Sequence, residues 1–131
     1  EIELADIQFS VHTNRVAASS LPLAIECVER HPHAAQVFLP LDVRRYVVTV
    51  MAADAAGAPD PSTALAFLLP PTLGVAYRAG VWHAGITVLD AEASFGVMMW
   101  RGAVDDDVFA AILPVCVVAP AAGDPPGGAH G

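Results

Sequence analysis

Residues 71–83 read PTLGVAYRAGVWH and join turn-forming, strand-forming and reactive side chains in one short stretch. Gly74 and Gly80 divide it where bends or bulges are expected. Between the glycines, Val75 and Tyr77 alternate with alanine and arginine, which is the period-two pattern of a β-strand with two different faces. The stretch therefore predicts a strand that is bounded by a glycine on each side.

Two side chains at the end of this stretch suit a ligand-binding site. Trp82 can form an aromatic wall, and His83 beside it can change its charge near neutral pH. Tyr77 lies close enough along the chain to line the same site. Tyrosine and tryptophan are, however, more often core residues than ligand contacts. The alternative interpretation is a hairpin in which Trp82 is core and His83 lies at the edge of a strand.

Short apolar strands with turn signals between them continue on both sides of this stretch. They are predicted over residues 7–15, 24–29, 36–39, 46–51, 86–89 and 94–100, with a further edge strand over 115–118. Residues 46–51 read YVVTVM, and the near absence of polar residues predicts a strand buried on both faces. Two short helices are predicted, one over 62–69 and one that the aspartates at 105–107 cap and that ends at residue 113.

This pattern predicts an all-β fold, namely an antiparallel β-barrel or double-sheet jelly roll with one or two short helices. A small barrel of this kind can enclose one small ligand. The alternative is a β-sandwich without an internal pocket. The chain of 131 residues, 55% of them hydrophobic, fits a single domain over 1–119. The Pro/Gly/Ala-rich residues 120–131 are predicted to form a disordered tail.

Composition excludes two classes of partner. The 14 acidic and 6 basic residues give a formal net charge of -8, so nucleic acid and anionic membrane surfaces are not expected as partners. No apolar run approaches the ~20 residues that a membrane-spanning helix needs. Cys27 and Cys116 form no CxxC motif and have apolar neighbours, which predicts two buried free thiols in a reducing, cytoplasmic compartment.

An acidic chain that binds a small anion must place an arginine next to that anion. Arg15 ends an otherwise apolar strand, and a guanidinium group can pair bidentately with a carboxylate. An inward Arg15 would therefore suit a small organic acid. The alternative is an arginine in water at the end of a strand.

A second polar cluster, ERHPHAAQ, occupies residues 29–36. His31 and His33 are two positions apart, so on a regular strand both would face the same way, as two metal ligands do. Pro32 between them weakens that geometry, and Gln36 can both donate and accept hydrogen bonds. The alternative is a polar turn exposed to water.

A metal set would need ligands from elsewhere in the chain as well. His83 could join His31 in such a set, and the third ligand would be His12 or Glu29.

Several of these elements, in this order, resemble the ureidoglycolate lyase family, which has also been called ureidoglycolate hydrolase. The elements are LPL at 21–23, ERHP at 29–32 with Gln36 and FLP at 38–40, AFL at 66–68, and GV at 74–75 with Tyr77 and GVWH at 80–83. The resemblance covers residues 10–101, and Arg15 falls where the family has an arginine. The sequence departs from the family pattern at Ala84, where a second histidine is usual, and at Trp100, where an aspartate is usual. The family pattern also has a further segment ahead of the first strand.

The resemblance implies a cupin-like β-barrel, often a homodimer, that splits ureidoglycolate into glyoxylate and urea late in allantoin and purine catabolism. It implies that His83 moves the protons and that Arg15 holds the carboxylate of this small-molecule substrate. His31 and Gln36 would hydrogen-bond the hydroxyl or the urea oxygen. A divalent metal ion held by His31 and His83 is the implied alternative to that hydrogen bonding.

Tyr77 and Trp82 would shape the pocket and exclude water from it. Two other classes of function remain open on the sequence. One is a metal-dependent cupin that acts on a different small organic acid, with His33 as a further ligand. The other is a non-catalytic small-molecule-binding barrel, which the departures at Ala84 and Trp100 favour, above all if Trp100 fills the pocket.

Overall fold

The computed structural model describes residues 6–120 and consists almost entirely of antiparallel strands. The strands are β1 (Gln8–Val16), β2 (Leu23–Arg30), β3 (Gln36–Pro40), β4 (Arg45–Met51), β5 (Leu65–Leu69), β6 (Val75–Tyr77), β7 (Trp82–His83), β8 (Thr87–Leu89), β9 (Ala93–Arg101) and β10 (Val108–Val117). A single turn of 3₁₀ helix, Pro61–Thr63, precedes β5. The predicted all-β fold is therefore confirmed.

The strands form two sheets that pack face to face as a cupin-like β-sandwich. The first sheet has the order β1-β9-β3-β6, and the second has the order β10-β2-β7-β4-β5, with β8 also paired to β4. Every ladder between the named strands is antiparallel. Among the described strands the two sheets remain open, so the architecture is a double-sheet sandwich and not a closed barrel.

The stretch 71–83 crosses from one sheet to the other. Its strand β6 pairs with β3 in the first sheet, while β7 pairs with β2 and β4 in the second. Gly80 turns the chain between them with a φ of 83°, a conformation that glycine adopts without strain. Gly74 lets β6 approach β3, because a Cβ at this position would lie 2.8 Å from the carbonyl oxygen of Phe38. The hairpin interpretation was wrong, since β6 and β7 belong to different sheets.

Strand β4 is buried on both faces, as predicted. Tyr46 and Val48 belong to the core between the two sheets. Val47 and Met51 belong to a second core on the other face of β4. That second core also contains side chains of β2 and β10, together with Trp82. Both layers therefore depend on this one strand.

Both predicted helices were wrong. Residues 62–69 begin with the short 3₁₀ turn and then continue as β5, whose backbone pairs with β4 from Tyr46 to Val50. Residues from 108 onward form β10, which pairs with β2 and includes the predicted edge strand. In both segments the available sheet edge outweighs the local preference for a capped helix, which is a weak preference.

The prediction of buried thiols was also wrong, since Cys27 and Cys116 are both exposed. In β2 the buried positions Ile25 and Val28 are three residues apart, so the inward alternation changes phase between them and leaves Cys27 outside. Within residues 6–120 no helix is long and apolar enough to cross a membrane. Beyond Pro120 the predicted tail lies outside the described residues. The domain boundary therefore stays a prediction.

Candidate active site

The crossing of 71–83 brings two buried rings together between the sheets. Tyr77 of the first sheet stacks on His83 of the second, with 3.9 Å between ring centroids and 9° between ring planes. The turn between them is tied to a third residue, because the Gly80 N–H donates to the carbonyl oxygen of His31 over 2.8 Å. Tyr77, His83 and His31 are each at most 3% exposed. One short segment thus sets the geometry of all three.

His83 has one nitrogen fixed and the other available. Its Nδ1 lies 3.0 Å from the carbonyl oxygen of Val81, which can only accept, so Nδ1 carries a hydrogen. In the neutral ring the lone pair is then on Nε2. This Nε2 is buried and has no hydrogen-bond partner in the part of the chain that the structure describes. A buried nitrogen with a free lone pair suits a base or a metal ligand.

Glu29 lies beside that free nitrogen. It sits opposite His83 in the β2–β7 pairing, and its Oε1 is 3.6 Å from His83 Nε2. This separation is slightly longer than a hydrogen bond. The interaction with His83 is nevertheless the main cause that lowers the pKa of the Glu29 carboxyl, partial burial opposes it, and the charges of His83 and His31 lower it further. Glu29 is therefore a carboxylate at neutral pH, which can stabilise a positive charge on His83.

His31 is held from both ends. Its Nδ1 is 2.9 Å from Asp107 Oδ1 and 3.2 Å from the carbonyl oxygen of Asp106. Its Nε2 is 2.9 Å from Gln36 Oε1. Asp107 is itself paired with Arg101 over 3.0 Å. The imidazole of His31 is consequently fixed between the loop before β10 and the first residue of β3.

The carboxylate of Asp107 is a part of this site that the sequence reasoning missed. The sequence predicts that the aspartates at 105–107 cap a helix. Instead, β10 pairs with β2, and the loop that leads from β9 into β10 brings Asp107 to His31, the residue directly after β2. The pairing of β10 with β2 is the feature that would have indicated this contact. The sequence predicts a helix in place of β10, so it does not predict this pairing.

Three of these side chains could hold a metal ion. Glu29, His31 and His83 each offer a ligand atom, and these atoms all lie within 4.8 Å of one another. A carboxylate with two imidazoles is a suitable donor set for a divalent transition metal. His83 Nε2 is free to bind, whereas His31 Nε2 would have to release Gln36 first. Of the two candidates for a third ligand, the structure brings Glu29, and not His12, to the histidines.

His12 and His33 are elsewhere. His12 lies on the exposed strand β1, opposite Val97. His33 is exposed and its Nε2 is 3.1 Å from the carbonyl oxygen of Val104. The two-residue spacing of His31 and His33 does not make a shared face, since the segment after β2 turns instead of continuing as a strand.

Tyr77 of the stacked pair lines a cavity of about 430 Å³, whose lining among the described residues does not include His83, Glu29 or His31. It is lined mainly by apolar side chains of β4 and β5 on one side and by β6 on the other, among them Val48, Phe67 and Leu69. Tyr77 and Arg78 are its polar residues. The buried Tyr77 hydroxyl has no partner in the described chain, and burial raises the pKa of this phenol well above its ordinary value. Tyr77 is therefore a neutral donor at the wall of the cavity.

The structure does not bring Arg15 to this site. Arg15 is exposed and contacts Ser94 Oγ at 2.8 Å, Glu92 at 3.0 Å and Asp42 at 3.4 Å. It pairs with position 94 of β9, whereas Gln36 pairs with position 99 of the same strand. Five residues along a strand correspond to roughly 16 Å. The surrounding carboxylates give Arg15 a structural environment at the opposite end of the sheet.

Trp82 lies on the other side of β7 from His83. Its indole belongs to the second core, and its Nε1 donates to the carbonyl oxygen of Gly57 over 3.1 Å. The Arg30 guanidinium lies 4.7 Å above the ring centroid. The structure thus places Trp82 where it anchors the loop after β4, away from the stacked pair.

The two departures from the family pattern both point away from the site. Ala84 is buried in the second core together with Trp82, so a histidine there would not share the face of His83. Trp100 is 55% exposed and packs against Phe9, with ring centroids 5.1 Å apart. The cavity beside Tyr77 is not filled by Trp100.

The two-sheet antiparallel sandwich is cupin-like in fold, and it carries two buried histidines with a carboxylate beside them. The family model described as "Ureidoglycolate lyase" matches residues 2–122. The chain therefore belongs to the ureidoglycolate lyase family, which confirms the resemblance seen in the sequence.

Curated relatives carry the same name. A ureidoglycolate lyase of Burkholderia cepacia is 42% identical over 89 residues, which cover 67% of this chain and 48% of that protein. One from Escherichia coli (strain K12 / DH10B) is 40% identical over 73 residues, which cover 56% of this chain and 44% of that protein. The chain spans about half the length of the curated relatives that it matches.

Proposed function

We propose that this chain acts as a ureidoglycolate lyase, which cleaves ureidoglycolate to glyoxylate and urea in allantoin and purine catabolism. Family membership and the names of the relatives support the substrate. The observation that carries the chemistry is the free, buried Nε2 of His83 next to the carboxylate of Glu29. We also propose that the protein is cytoplasmic and acts as a homodimer, as the family resemblance implies.

The reaction requires two proton movements around one carbon atom. This carbon bears a hydroxyl group, a urea nitrogen and a carboxylate. The hydroxyl loses its proton while its oxygen forms the carbonyl of glyoxylate and the C–N bond breaks. The electron pair of that bond goes to the urea nitrogen, which takes up a proton and leaves as urea. A positioned acid–base group typically contributes about 10²–10⁴-fold to such a step.

His83 is suited to both proton movements. With hydrogen on Nδ1 held by Val81, its Nε2 can accept the hydroxyl proton and then return a proton to the leaving nitrogen. Glu29 at 3.6 Å stabilises the positive charge that His83 carries between the two steps. Tyr77 stacks on the ring and keeps it from turning. Together they form one proton-transferring unit.

His31 and Gln36 form the second polar wall of the site. Asp107 and Asp106 contact Nδ1 of His31, so its Nε2, which contacts Gln36, is the nitrogen left to bind a substrate. We propose that this nitrogen and Gln36 hydrogen-bond the hydroxyl or the urea oxygen of the substrate. Exchange of the Gln36–His31 contact for contacts to substrate would keep both side chains satisfied.

A divalent metal ion is an alternative occupant of the same donors. Bound by Glu29, His31 and His83, it would act as a Lewis acid that polarises the substrate hydroxyl. This donor set also favours a second candidate function, a metal-dependent cupin that acts on another small organic acid. In that case His83 would be a ligand and not a base.

The test is an assay of glyoxylate release from ureidoglycolate with metal-stripped protein, repeated with added divalent ions. We expect release that requires His83. Full activity after metal removal supports a lyase in which His83 is the acid–base group, and recovery only with an added ion supports a lyase in which His83 is a metal ligand. The lyase proposal fails if no glyoxylate is released under either condition.

A further inference from the structure

The position of Arg78 sets it apart from the other basic side chains. All six basic residues of the sequence are arginines. Three of them are paired with carboxylates: Arg15 with Asp42 and Glu92, Arg45 with Asp90, and Arg101 with Asp107. Arg30 covers Trp82, and Arg44 is exposed directly before β4. Arg78 is the arginine that lines the cavity beside Tyr77.

The backbone holds Arg78 close to the proposed reacting groups. Arg78 follows Tyr77 directly, and its carbonyl oxygen accepts from the Val81 N–H over 3.2 Å in the turn that leads to His83. In the same turn, the Gly80 N–H donates to the carbonyl oxygen of His31. Arg78 therefore lies on a short segment fixed at both ends by residues of the site.

No carboxylate lies within ion-pair distance of Arg78 among residues 6–120. Arg30 and Arg44 share this lack of an acidic partner in the described residues, but of the three it is Arg78, an exposed residue, that lines the cavity beside Tyr77. Its neighbour Tyr77 lines the same cavity and carries a buried hydroxyl that has no partner among residues 6–120. A small carboxylate at this point would satisfy the cation and the hydroxyl together.

We propose that Arg78, and not Arg15, binds the carboxylate of the substrate, with the Tyr77 hydroxyl as a second donor. The inference rests on the proposed function, because it takes the ligand to be a small carboxylate bound beside His83. It adds that recognition is by the charge of Arg78, an exposed residue in the lining of the cavity. The cavity's other lining residues named above are apolar, so Arg78 also supplies the selectivity for an acid over the matching neutral amide.

The test uses direct binding, which does not depend on turnover. Oxamate is a small carboxylate that carries an amide, and oxamide is its uncharged counterpart. Calorimetric titrations with each compound would be made on the wild type and on Arg78→Gln, Arg78→Lys and Arg15→Gln. Arg44→Gln is the matched control, since it removes an exposed arginine far from the cavity. Circular dichroism and thermal unfolding would verify that each variant is folded.

We expect the wild type to prefer oxamate to oxamide and Arg78→Gln to bind oxamate about ten- to a hundred-fold more weakly, with binding of oxamide unchanged. Arg78→Lys should recover part of the preference, because it restores the charge without the fork geometry. Arg44→Gln should bind as the wild type does.

Three results would overturn the inference. They are equal oxamate binding by wild type and Arg78→Gln, loss of the preference in Arg15→Gln with Arg78→Gln unaffected, and no oxamate binding by the wild type. The outcome is separate from that of the lyase assay. Arg78-dependent carboxylate binding without glyoxylate release would retain the inference and refute the proposed function.

Discussion

Tyr77 and His83 lie flat against each other, 3.9 Å apart between centroids, although they belong to different sheets. The five residues between them carry the chain across the sandwich, and the Gly80 N–H fastens that crossing to His31. The stacked pair consequently joins the two layers of the fold at the same point where the free nitrogen of His83 meets Glu29. The contributions of this pair to stability and to chemistry can be measured separately. The stacked rings contribute to stability, whereas the Tyr77 hydroxyl and the His83 Nε2 contribute to chemistry.

Replacing His83 with alanine should lower glyoxylate release by about 10²–10⁴-fold, because the variant loses the group that accepts and returns the proton. Steady-state assays of the folded variant would measure this. His12→Ala is the control, since His12 is exposed on β1 and should leave the rate unaltered. Turnover in His83→Ala close to that of the wild type would remove His83 from the mechanism.

Tyr77→Phe should separate activity from stability. The variant keeps the ring that stacks on His83 and removes a buried hydroxyl that has no partner in the described part of the chain, so the free energy of unfolding should stay the same or rise. Glyoxylate release should fall, because the substrate loses a donor. Tyr46→Phe provides the contrast. The Tyr46 hydroxyl donates to the Leu73 carbonyl, so its removal should cost about 0.5–1.5 kcal/mol of stability and leave turnover unchanged. A stability loss in Tyr77→Phe equal to that in Tyr46→Phe would contradict the assignment.

Alkaline titration should show that both tyrosines resist ionisation. Burial raises the pKa of Tyr46 to about 12 and raises that of Tyr77 as well, whereas an unfolded chain ionises near pH ~10. Above pH 10 the folded state retains protons that the unfolded state releases, so the free energy of unfolding falls as the pH rises. Absorbance at the phenolate band should therefore show no step near pH 10. A step for one or two phenols in the folded protein would contradict the burial of these hydroxyls.

Asp107→Asn should weaken catalysis without loss of fold. The amide can still occupy the space beside His31 Nδ1 but lacks the charge that holds this nitrogen over 2.9 Å. Since hydrogen bonds to charged groups contribute about 1.5–3 kcal/mol, we expect kcat/KM to fall by about ten- to a hundred-fold. Asp105→Asn is the matched control, because Asp105 is exposed and its positive φ of 57° is tolerated by asparagine. Equal kinetics in the two variants would refute a role for Asp107.

The two thiols should react without unfolding. Cys27 and Cys116 are free and exposed, so a thiol reagent such as dithionitrobenzoate should label both in the native protein at rates near those of the denatured chain. Ile25 is buried in the same strand as Cys27. A stability measurement, and not thiol labelling, therefore shows whether this strand stays folded. Labelling that requires denaturant would restore the original prediction of buried thiols.

The sequence predicted the parts of the fold that local periodicity controls. Alternation and apolar runs identified the strands, and the run at 46–51 identified the strand that is buried on both faces. The two helix predictions failed, because β5 and β10 take their conformation from partners distant in sequence, namely β4 and β2. Local capping patterns carry no information about such partners.

The proximity of several candidate site residues was predictable to the same degree, while their roles stay predictions. His31, Gln36, Tyr77 and His83 were recognised from residue type and order, and they do lie together. Asp107 was not, because only the return of the β9–β10 loop places it beside His31. Arg15 and Arg78 show the same limit of prediction from sequence. The resemblance pointed to Arg15, whereas only the three-dimensional structure reveals that Arg15 is surrounded by carboxylates and that Arg78 is not.

The alternation of side chains along strand β4 fixes which residues enter each of the two cores. Tyr46 and Val48 serve one core while Val47 and Met51 serve the other, so a single inserted or deleted residue within the strand would exchange the two sets and disrupt both layers at once. Insertions in the loop after it would displace hydrogen bonds within the loop and to the following 3₁₀ turn, together with the Gly57 contacts to Arg30 and Trp82, and would leave both cores in register. Length variation among proteins of this fold is thus expected in residues 52–60 and forbidden in the strand just before them.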